Sequence, residues 1–434
     1  QELFPHIIIL GVKKIMIDQL VKVKEILKKY NQEHLLYFYD ELSYSQKENL
    51  LTQILDTDFE KILTLYKNSF KPINLNMDDV SPISHVEINK FNSDQINHYK
   101  SIGEKIIKLN QFAVVTMAGG QGSRLGYKGP KGTYELALES KNQKKSLFEI
   151  MCDDIKRTNE KYGITIPWYI MTSVENDSKT KDFFELHNFW GYPKDKVKFF
   201  TQGKLPIIDL NGKLILQEPY LIKDASNGNG NVFNSMKKHR IINDLENNNI
   251  SWVSFGGIDN ILLKNVDPFF LGLSVENNYE IASKSIFKQE PLEKTAVYCK
   301  KYGKPAILDY DDIDISLSLS KFENGMYKYR EANMLSHLMT LDAIKKVCDI
   351  PLRYHRAFKK NAFVNKEGMK QIPDKPNSFK FESFIFDAFE FFDDMLILRV
   401  DPDKEFAPIK DFTGIYNPDT AKEKYIKYWS NTLN

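Results

Sequence analysis

Phe112-Ala-Val-Val-Thr-Met117 runs without a break into Ala118-Gly-Gly-Gln-Gly-Ser-Arg-Leu-Gly126, and Gly129-Pro-Lys-Gly132 follows. A short, continuously apolar run of this kind suits a strand buried on both faces, as in a parallel sheet. Four glycines within eight residues then let backbone amides approach an anion without interference from Cβ. The natural reading is a phosphate cradle at the carboxyl end of a strand. Two familiar cradles do not match: GxxxxGK[ST] is absent, and Gly120-x-Gly122-x-x-x-Gly126 has one residue too many for GxGxxG. The cations distinguish this loop. Arg124 offers a planar fork of donors for non-bridging oxygens, and Lys131 a compact charge able to follow that of a departing pyrophosphate.

Outward from the loop the elements alternate. Ser146-Leu-Phe-Glu149 has capping-box spacing and predicts a helix start. Trp168 to Thr172 reads as a strand, Ser178 to Leu186 as a helix, Lys198 to Thr201 as a strand, Phe233 to Glu246 as a helix and Trp252 to Phe255 as a strand. This alternation predicts an α/β fold with a parallel sheet covered by helices, its ligand beyond the carboxyl ends of the strands. Upstream, Ile17 to Phe70 carries apolar residues at helical spacing, and Ser93-Asp94 offers an N-cap for a helix running to about Asn110. The expected division is a mainly helical region over 1–105, a catalytic α/β domain over 106–400 and a short C-terminal segment over 401–434. Residues 1–15, ahead of Met16, are set aside as a candidate leader. The closely spaced aromatics Phe381, Phe384, Phe386 and Phe389 read first as core packing.

With 60 basic and 58 acidic side chains among 434 residues, the net charge of +2 offers no general grip on nucleic acid. Any basic site must be local and built for a small anion. Pro5 to Val12 falls far short of the roughly 20 apolar residues that cross a bilayer. Cys152, Cys299 and Cys348 form no CxxC pair, which fits a reduced compartment and a cytoplasmic protein.

Met117 to Gly126 followed by Gly129-Pro-Lys-Gly132 resembles the signature of the UDP-sugar pyrophosphorylases, specifically the UDP-N-acetylglucosamine pyrophosphorylase branch. Gln32-Glu-His-Leu-Leu36, Thr201-Gln-Gly-Lys-Leu-Pro206, Asn227-Gly-Asn-Gly230, Ile258-Asp-Asn-Ile-Leu262, Asp374-Lys-Pro-Asn377, Phe384-Ile-Phe-Asp387 and Phe406-Ala-Pro-Ile-Lys410 keep that family's order and spacing. The resemblance implies a Rossmann-like nucleotidyltransferase domain with a mixed, mostly parallel sheet. It also implies a uridylyltransferase: a sugar 1-phosphate attacks the α-phosphorus of UTP, giving UDP-sugar and pyrophosphate. The first expectation for the product is UDP-N-acetylglucosamine. The alternatives are glucose or galactose 1-phosphate as acceptor, or a catalytically silent UDP-sugar-binding protein.

By the same resemblance, Ala118, Gly119, Gly120, Gly122, Gln202 and Gly228 address the nucleotide. Arg124, Lys131, Lys380 and Lys410 carry the catalytic charge. Asn229, Lys284, Asp309, Asn333, Phe384 and Phe386 shape the sugar site, and Asp259 holds Mg²⁺ or Mn²⁺. His337 keeps a family position but reads as a packed, hydrogen-bonded histidine. Expected partners are the four small molecules of the reaction, with no nucleic acid and no membrane, and the expected state is a monomer or weak homo-oligomer. Departures cluster on the acceptor side. Asp309 stands where the family has Glu, Ala282 where Gly is usual, filling space an acetyl group could use, and Arg330-Glu331-Ala332 precedes Asn333 where Asn-Ala-Gly is expected. Ser123 replaces a Thr.

Overall fold

The apolar run that opens the sequence argument is the centre of a large sheet. The computed structural model describes residues 3–71, 77–138, 144–293, 295–310, 313 and 315–433. The sheet's strands, in chain order, are β1 (Val80–Pro82), β2 (Val86–Glu87), β3 (Phe112–Met117), β4 (Trp168–Thr172), β5 (Val197–Thr201), β6 (Trp252–Gly257), β7 (Ile281–Phe287), β8 (Val297–Lys301), β9 (Lys304–Leu308), β10 (Glu331–Thr340) and β11 (Leu396–Arg399). Their order is β2-β11-β7-β10-β6-β3-β4-β5, with β8 joining β1, β9 and β10 at one side. Neighbours on the main path run parallel except β10, which is antiparallel to both β6 and β7. The sheet is therefore mixed and mostly parallel, as expected.

Every residue of β3 is buried. Phe112 and Val114 face one apolar core and Ala113, Val115 and Met117 face the other, which is why the run shows no polar alternation. Helix Leu147–Tyr162 begins where capping chemistry placed it, with Glu149 N–H donating to Ser146 Oγ at 3.1 Å.

Two local expectations need correction. The helix assigned to 233–246 is two helices, Val232–Lys238 and Ile241–Asn247, separated by Arg240 at φ 59°. No Gly or Pro announces the break, but the buried positions Phe233, Met236, Ile241 and Leu245 skip four residues at its centre, and a single helix would rotate one set off the core. The helix expected to be capped from Ser93-Asp94 runs Ser93–Lys108 and is capped by Asn92. Gln95 N–H donates to Asn92 Oδ1 and Asn92 N–H to Gln95 Oε1.

The described chain gathers into two units. One comprises Gln1–Asn74, Lys204–Gly228 and Arg353–Ser383, and the other Leu75–Gly203, Asn229–Leu352 and Phe384–Asn434. This differs from the contiguous segments expected at 105/106 and 400/401. The reason is non-local pairing that hydropathy does not reveal. Within the first unit Ile208–Asp209 pairs with Ser378–Glu382, and Gln53 bonds to Ile222 and Asp224. The Gln32 motif is structural there: its carboxamide donates to Gly212 O and accepts from Leu214 N–H. The core of this unit includes Leu35, Leu50, Ile54 and Phe381. The large sheet belongs wholly to the second unit. Among the described residues no helix is long and apolar enough to cross a membrane.

Candidate active site

Parallel strands β3, β4 and β6 end side by side at Met117, Thr172 and Gly257; the loop after β3 carries the glycines, Arg124 and Lys131, and that after β6 carries Asp259. Loop 118–130 closes on itself. Gln121 and Pro130 form an antiparallel bridge, Gly122 N–H donates to Gly129 O at 2.9 Å, and Lys131 N–H donates to Gly120 O at 3.0 Å. This closure, more than the glycine count, brings the Gly129-Pro-Lys-Gly132 motif against the cradle. Gly122 serves the closure itself: its amide is spent on Gly129, and a Cβ there would come 2.7 Å from the Tyr127 ring filling the loop. Among the described residues the amides of Gly119 and Gly120 donate to no protein acceptor, so they are the donors the cradle has to offer. Asn176, fully buried, holds the strand end from below by donating to Ala118 O at 3.0 Å and Gly120 O at 3.3 Å.

Gln202 reaches the same place from the end of β5. Its N–H donates to Thr172 O at 2.8 Å, and its carboxamide lies across Gly119, where a Cβ would stand 2.3 Å from Nε2. A carboxamide that can donate and accept thus lies beside the half-buried Gly119, whose amide has no protein acceptor, a pairing suited to a pyrimidine edge beside a phosphate. Gly119→Ala is expected to displace this carboxamide and raise KM for UTP about 10-fold or more, the cost of losing one buried hydrogen-bonding partner. Initial rates against UTP concentration check this. An unchanged KM would show that the Gly119–Gln202 contact is not part of the nucleotide site.

Beyond β6 the chain turns through Ile258 into Asp259 and Asn260. Asn260 is a clamp: Nδ2 donates to Glu405 O at 2.8 Å and Oδ1 accepts from Ala407 N–H at 2.9 Å. Asp259 O accepts from Ile409 N–H at 2.8 Å. These bonds seat the segment 405–410 alongside Asp259 and so place Lys410, whose Nζ lies 5.0 Å from the Tyr416 ring centroid. The Asp259 side chain makes no hydrogen bond or salt bridge among the described residues.

Lys131 is buried and likewise has no salt-bridge partner. Burial pushes its pKa below the ordinary 10.5; Asp259 opposes that shift, while Arg124 and Lys410 add to it. Arg124 is largely exposed and pairs with Asp411 at 3.3 Å. Three cations, Arg124, Lys131 and Lys410, and two carboxylates, Asp259 and Asp411, therefore act on one another here.

A cavity of about 250 Å³ adjoins it, lined by Asn229, Asp259, Asp309, Asn333, Leu335, Phe386 and Lys410 among others. Asn229 Oδ1 accepts from Ile385 N–H at 3.0 Å. Asn333 Oδ1 accepts from Tyr298 Oη–H at 3.0 Å and Leu335 N–H at 2.9 Å, so its Nδ2 is the group left for a ligand. Phe384 backs Phe386 in a stacked pair with centroids 5.0 Å apart. A larger cavity of about 550 Å³, bordered by His34, Tyr37 and Phe363 in the first unit, is lined by none of the nominated residues.

Lys284, also nominated, does not line this cavity. Lys284 is fully buried in β7, its Nζ 2.6 Å from Asp267 Oδ2 and 2.5 Å from Glu405 Oε2, and Lys264 reaches Glu405 from the other side at 3.0 Å. Its charge is spent on this network rather than on a sugar phosphate. Ala282 is also interior, packed in the core of the sheet, so its methyl does not fill cavity space. Glu331 bonds Ser285 at 2.7 Å and the Arg399 guanidinium, while Arg330 lies on the Phe287 ring. Gly228 and Lys380 belong to the first unit. Gly228 adopts φ 93° where a Cβ would strike Ser383 O, and Lys380 pairs with Glu382 at 2.8 Å.

His337 is buried with Nδ1 2.7 Å from Ser283 Oγ, and burial lowers its pKa to about 3, which keeps the ring neutral. Burial pushes the thiols of Cys152 and Cys299 up to about 12, unsuited to nucleophilic work.

The family described as UTP–glucose-1-phosphate uridylyltransferase matches residues 59–416. The chain belongs to this family. It is 32% identical to the UDP-N-acetylglucosamine pyrophosphorylase of Saccharomyces cerevisiae, over 94% of this chain and 90% of that protein. It is equally identical to UDP-N-acetylglucosamine diphosphorylase 2 of Arabidopsis thaliana, over 92% and 81%. Among solved structures, the uridine diphosphate N-acetylglucosamine pyrophosphorylase of Trypanosoma brucei, in complex with an inhibitor, superposes with a TM-score of 0.80 at 27% identity, covering 94% of this chain and 84% of that one.

Sequence reading passed over four residues of this uridylyltransferase-family site: Asn176, Asn260, Leu335 and Asp411. Asn260 lies within Ile258-Asp-Asn-Ile-Leu262 and Asp411 directly follows Lys410, so their positions carry a signal. Asn176 carries only a turn signal, its Oδ1 accepting from Ser173 N–H, because the carbonyls that tie it to the cradle are more than fifty residues away. Leu335 carries no signal in the sequence: its φ is 57°, a left-handed conformation that costs a bulky side chain roughly 1 kcal/mol or more.

Proposed function

We propose that the chain forms UDP-N-acetylglucosamine and pyrophosphate from UTP and N-acetylglucosamine 1-phosphate. The observation that carries this reading is the 250 Å³ cavity, whose walls combine Asp259 and Lys410 with Asn229, Asp309, Asn333 and Phe386. A polar, aromatic-floored sugar site thus opens directly on a charge-bearing phosphate site. A phosphate oxygen of the sugar 1-phosphate attacks the α-phosphorus of UTP in line. The new P–O bond forms as the bond to the β-phosphate oxygen breaks, and that electron pair leaves with pyrophosphate.

The protein's part is positioning and charge. The amides of Gly119 and Gly120 with Gln202 hold the nucleotide, Arg124 and Lys131 take the leaving phosphates, and Lys410 stands at the acceptor phosphate. Gly228 and Lys380 join on motif position. Asp259 suits Mg²⁺ or Mn²⁺: its carboxylate is unengaged, and among the described residues no group of three acidic, His or Cys side chains forms a complete protein cage. A hard cation held by one carboxylate takes its other ligands from phosphates and water, and when bound it would neutralise charge on the phosphates. The N-acetyl preference is supported by the names of the yeast and plant relatives. The reading includes a cytoplasmic location, in keeping with three buried free cysteines, and action as a monomer or weak homo-oligomer.

Pyrophosphate release from UTP across N-acetylglucosamine, N-acetylgalactosamine, glucose and galactose 1-phosphates is the test. The expected result is the highest kcat/KM with N-acetylglucosamine 1-phosphate, and loss of activity in EDTA. A higher value for glucose or galactose 1-phosphate would move the acceptor assignment, and no release with any of them would refute the proposal.

A further inference from the structure

Between the pairs Ser283–His337 and Ser285–Asn333, β10 advances four residues while β7 advances two. The surplus is taken up at Leu335, and among the described residues no other strand interior holds a non-glycine residue at positive φ. The bulge is built deliberately. Asn333 Oδ1 accepts both the Leu335 N–H and the hydroxyl of buried Tyr298. Bulges of this kind re-aim side chains beside active sites. Here the re-aimed side chain lies over Gly257, where a Cβ would come 2.6 Å from Leu335 Cδ2 and 2.7 Å from Asp259 Oδ1. Leu335 thus stands in the cavity wall between the Asn333 carboxamide and the Asp259 carboxylate. Glycine would satisfy the backbone better; the leucine's branched end packs on the neighbouring core and also faces the cavity.

We infer that Leu335 is a specificity-determining residue that limits the bulk of the sugar 1-phosphate the cavity admits. The inference rests on the proposed uridylyltransferase reading. Its physical basis is that a well-packed apolar wall discriminates by roughly 10-fold or more per methylene-sized misfit.

The experiment compares kcat/KM for N-acetylglucosamine 1-phosphate with that for two enlarged analogues, one carrying an N-butanoyl group and one enlarged at C6. It uses wild type, Leu335→Gly, Leu335→Ala and Leu335→Met. Glycine suits the left-handed backbone, so L335G is expected to fold, and L335A opens the same space with its Cβ retained. In both, the relative kcat/KM for at least one enlarged sugar rises about 10-fold or more with KM for UTP within about twofold, and L335M restores the wild-type ratio by conserving volume. If L335G fails to fold, the L335A ratio decides. Ratios unchanged within twofold for both analogues, in an enzyme that turns over normally, overturn the role of Leu335. Absence of turnover in the wild type with every acceptor overturns the functional reading beneath it instead.

Discussion

Lys131→Met is expected to lower kcat for pyrophosphate release by about 10²- to 10³-fold, the range for removing one preorganised electrostatic stabiliser. Methionine keeps the length and apolar stem of the side chain and removes the charge, so the loop closed by Lys131 N–H and Gly120 O stays intact. The effect should fall chiefly on kcat because the ammonium meets charge that grows on the departing pyrophosphate, with a smaller rise in KM for UTP. The pH dependence carries a second signature. Burial lowers the Lys131 pKa below 10.5 in the free protein, so the charge is lost as pH rises through that lowered value, before exposed lysines titrate. Binding a polyphosphate favours the charged form, which means that UTP binding takes up a proton there and KM for UTP rises with pH. Lys131→Arg should move this alkaline limb upward, since guanidinium does not titrate in the range. Steady-state rates across pH for the three proteins decide the matter. Wild-type kcat in Lys131→Met would remove this residue from the chemistry.

The second large effect concerns stability. Lys284→Met is expected to destabilise the fold by about 3–5 kcal/mol, because it leaves Asp267 and Glu405 in the interior with Lys264 as their remaining cation. Burial alone would raise the Asp267 pKa; Lys284 and Lys264 outweigh it and hold the value down to about 2, against an ordinary 3.8. The sign follows from that depression. Asp267 contributes stability in full above its unfolded value, and the contribution is lost as pH falls from about 4 towards 2. Thermal melts at neutral and acid pH should therefore show the wild type converging on the variant as the carboxyl protonates. If Lys284 instead held the sugar phosphate, its loss would raise the acceptor KM at least 10-fold and leave the melting temperature unchanged.

This reassignment marks where sequence reading runs out. A lysine in a strand reports its own charge but not its partners, and those of Lys284 come from a helix N-terminus at Asp267 and from Glu405, 121 residues further on. The glycine loop was legible because its information is local: an unbroken apolar strand, a run of residues without Cβ, and two cations at fixed spacing. Even there, Gly122 was legible as a glycine and not as a hinge packed on Tyr127, since ring placement is set by the folded loop. The alternation of strands and helices predicted the sheet, whereas the antiparallel course of β10 between β6 and β7 left no mark in a pattern of buried residues common to both directions. Asp259, Asn229, Asp309, Asn333, Phe386 and Lys410 do meet at one cavity. The left-handed turn that brings Leu335 among them is written in the side-chain bond of Asn333, which spacing alone does not disclose.

The clamp by which Asn260 grips Glu405 and Ala407 bears on how the protein is made. A nascent chain that ends before residue 405 already holds the glycine loop, Gln202 and Asp259. Its Asn260 nevertheless lacks both backbone partners, its Lys284 and Lys264 lack their shared carboxylate, and its cavity lacks the Lys410 wall. Both ends of the site therefore wait for this late segment, since the cradle loop also takes the Phe412 N–H bond to Arg124 O and the Arg124–Asp411 pair from it, so premature termination products are expected to lack a finished site.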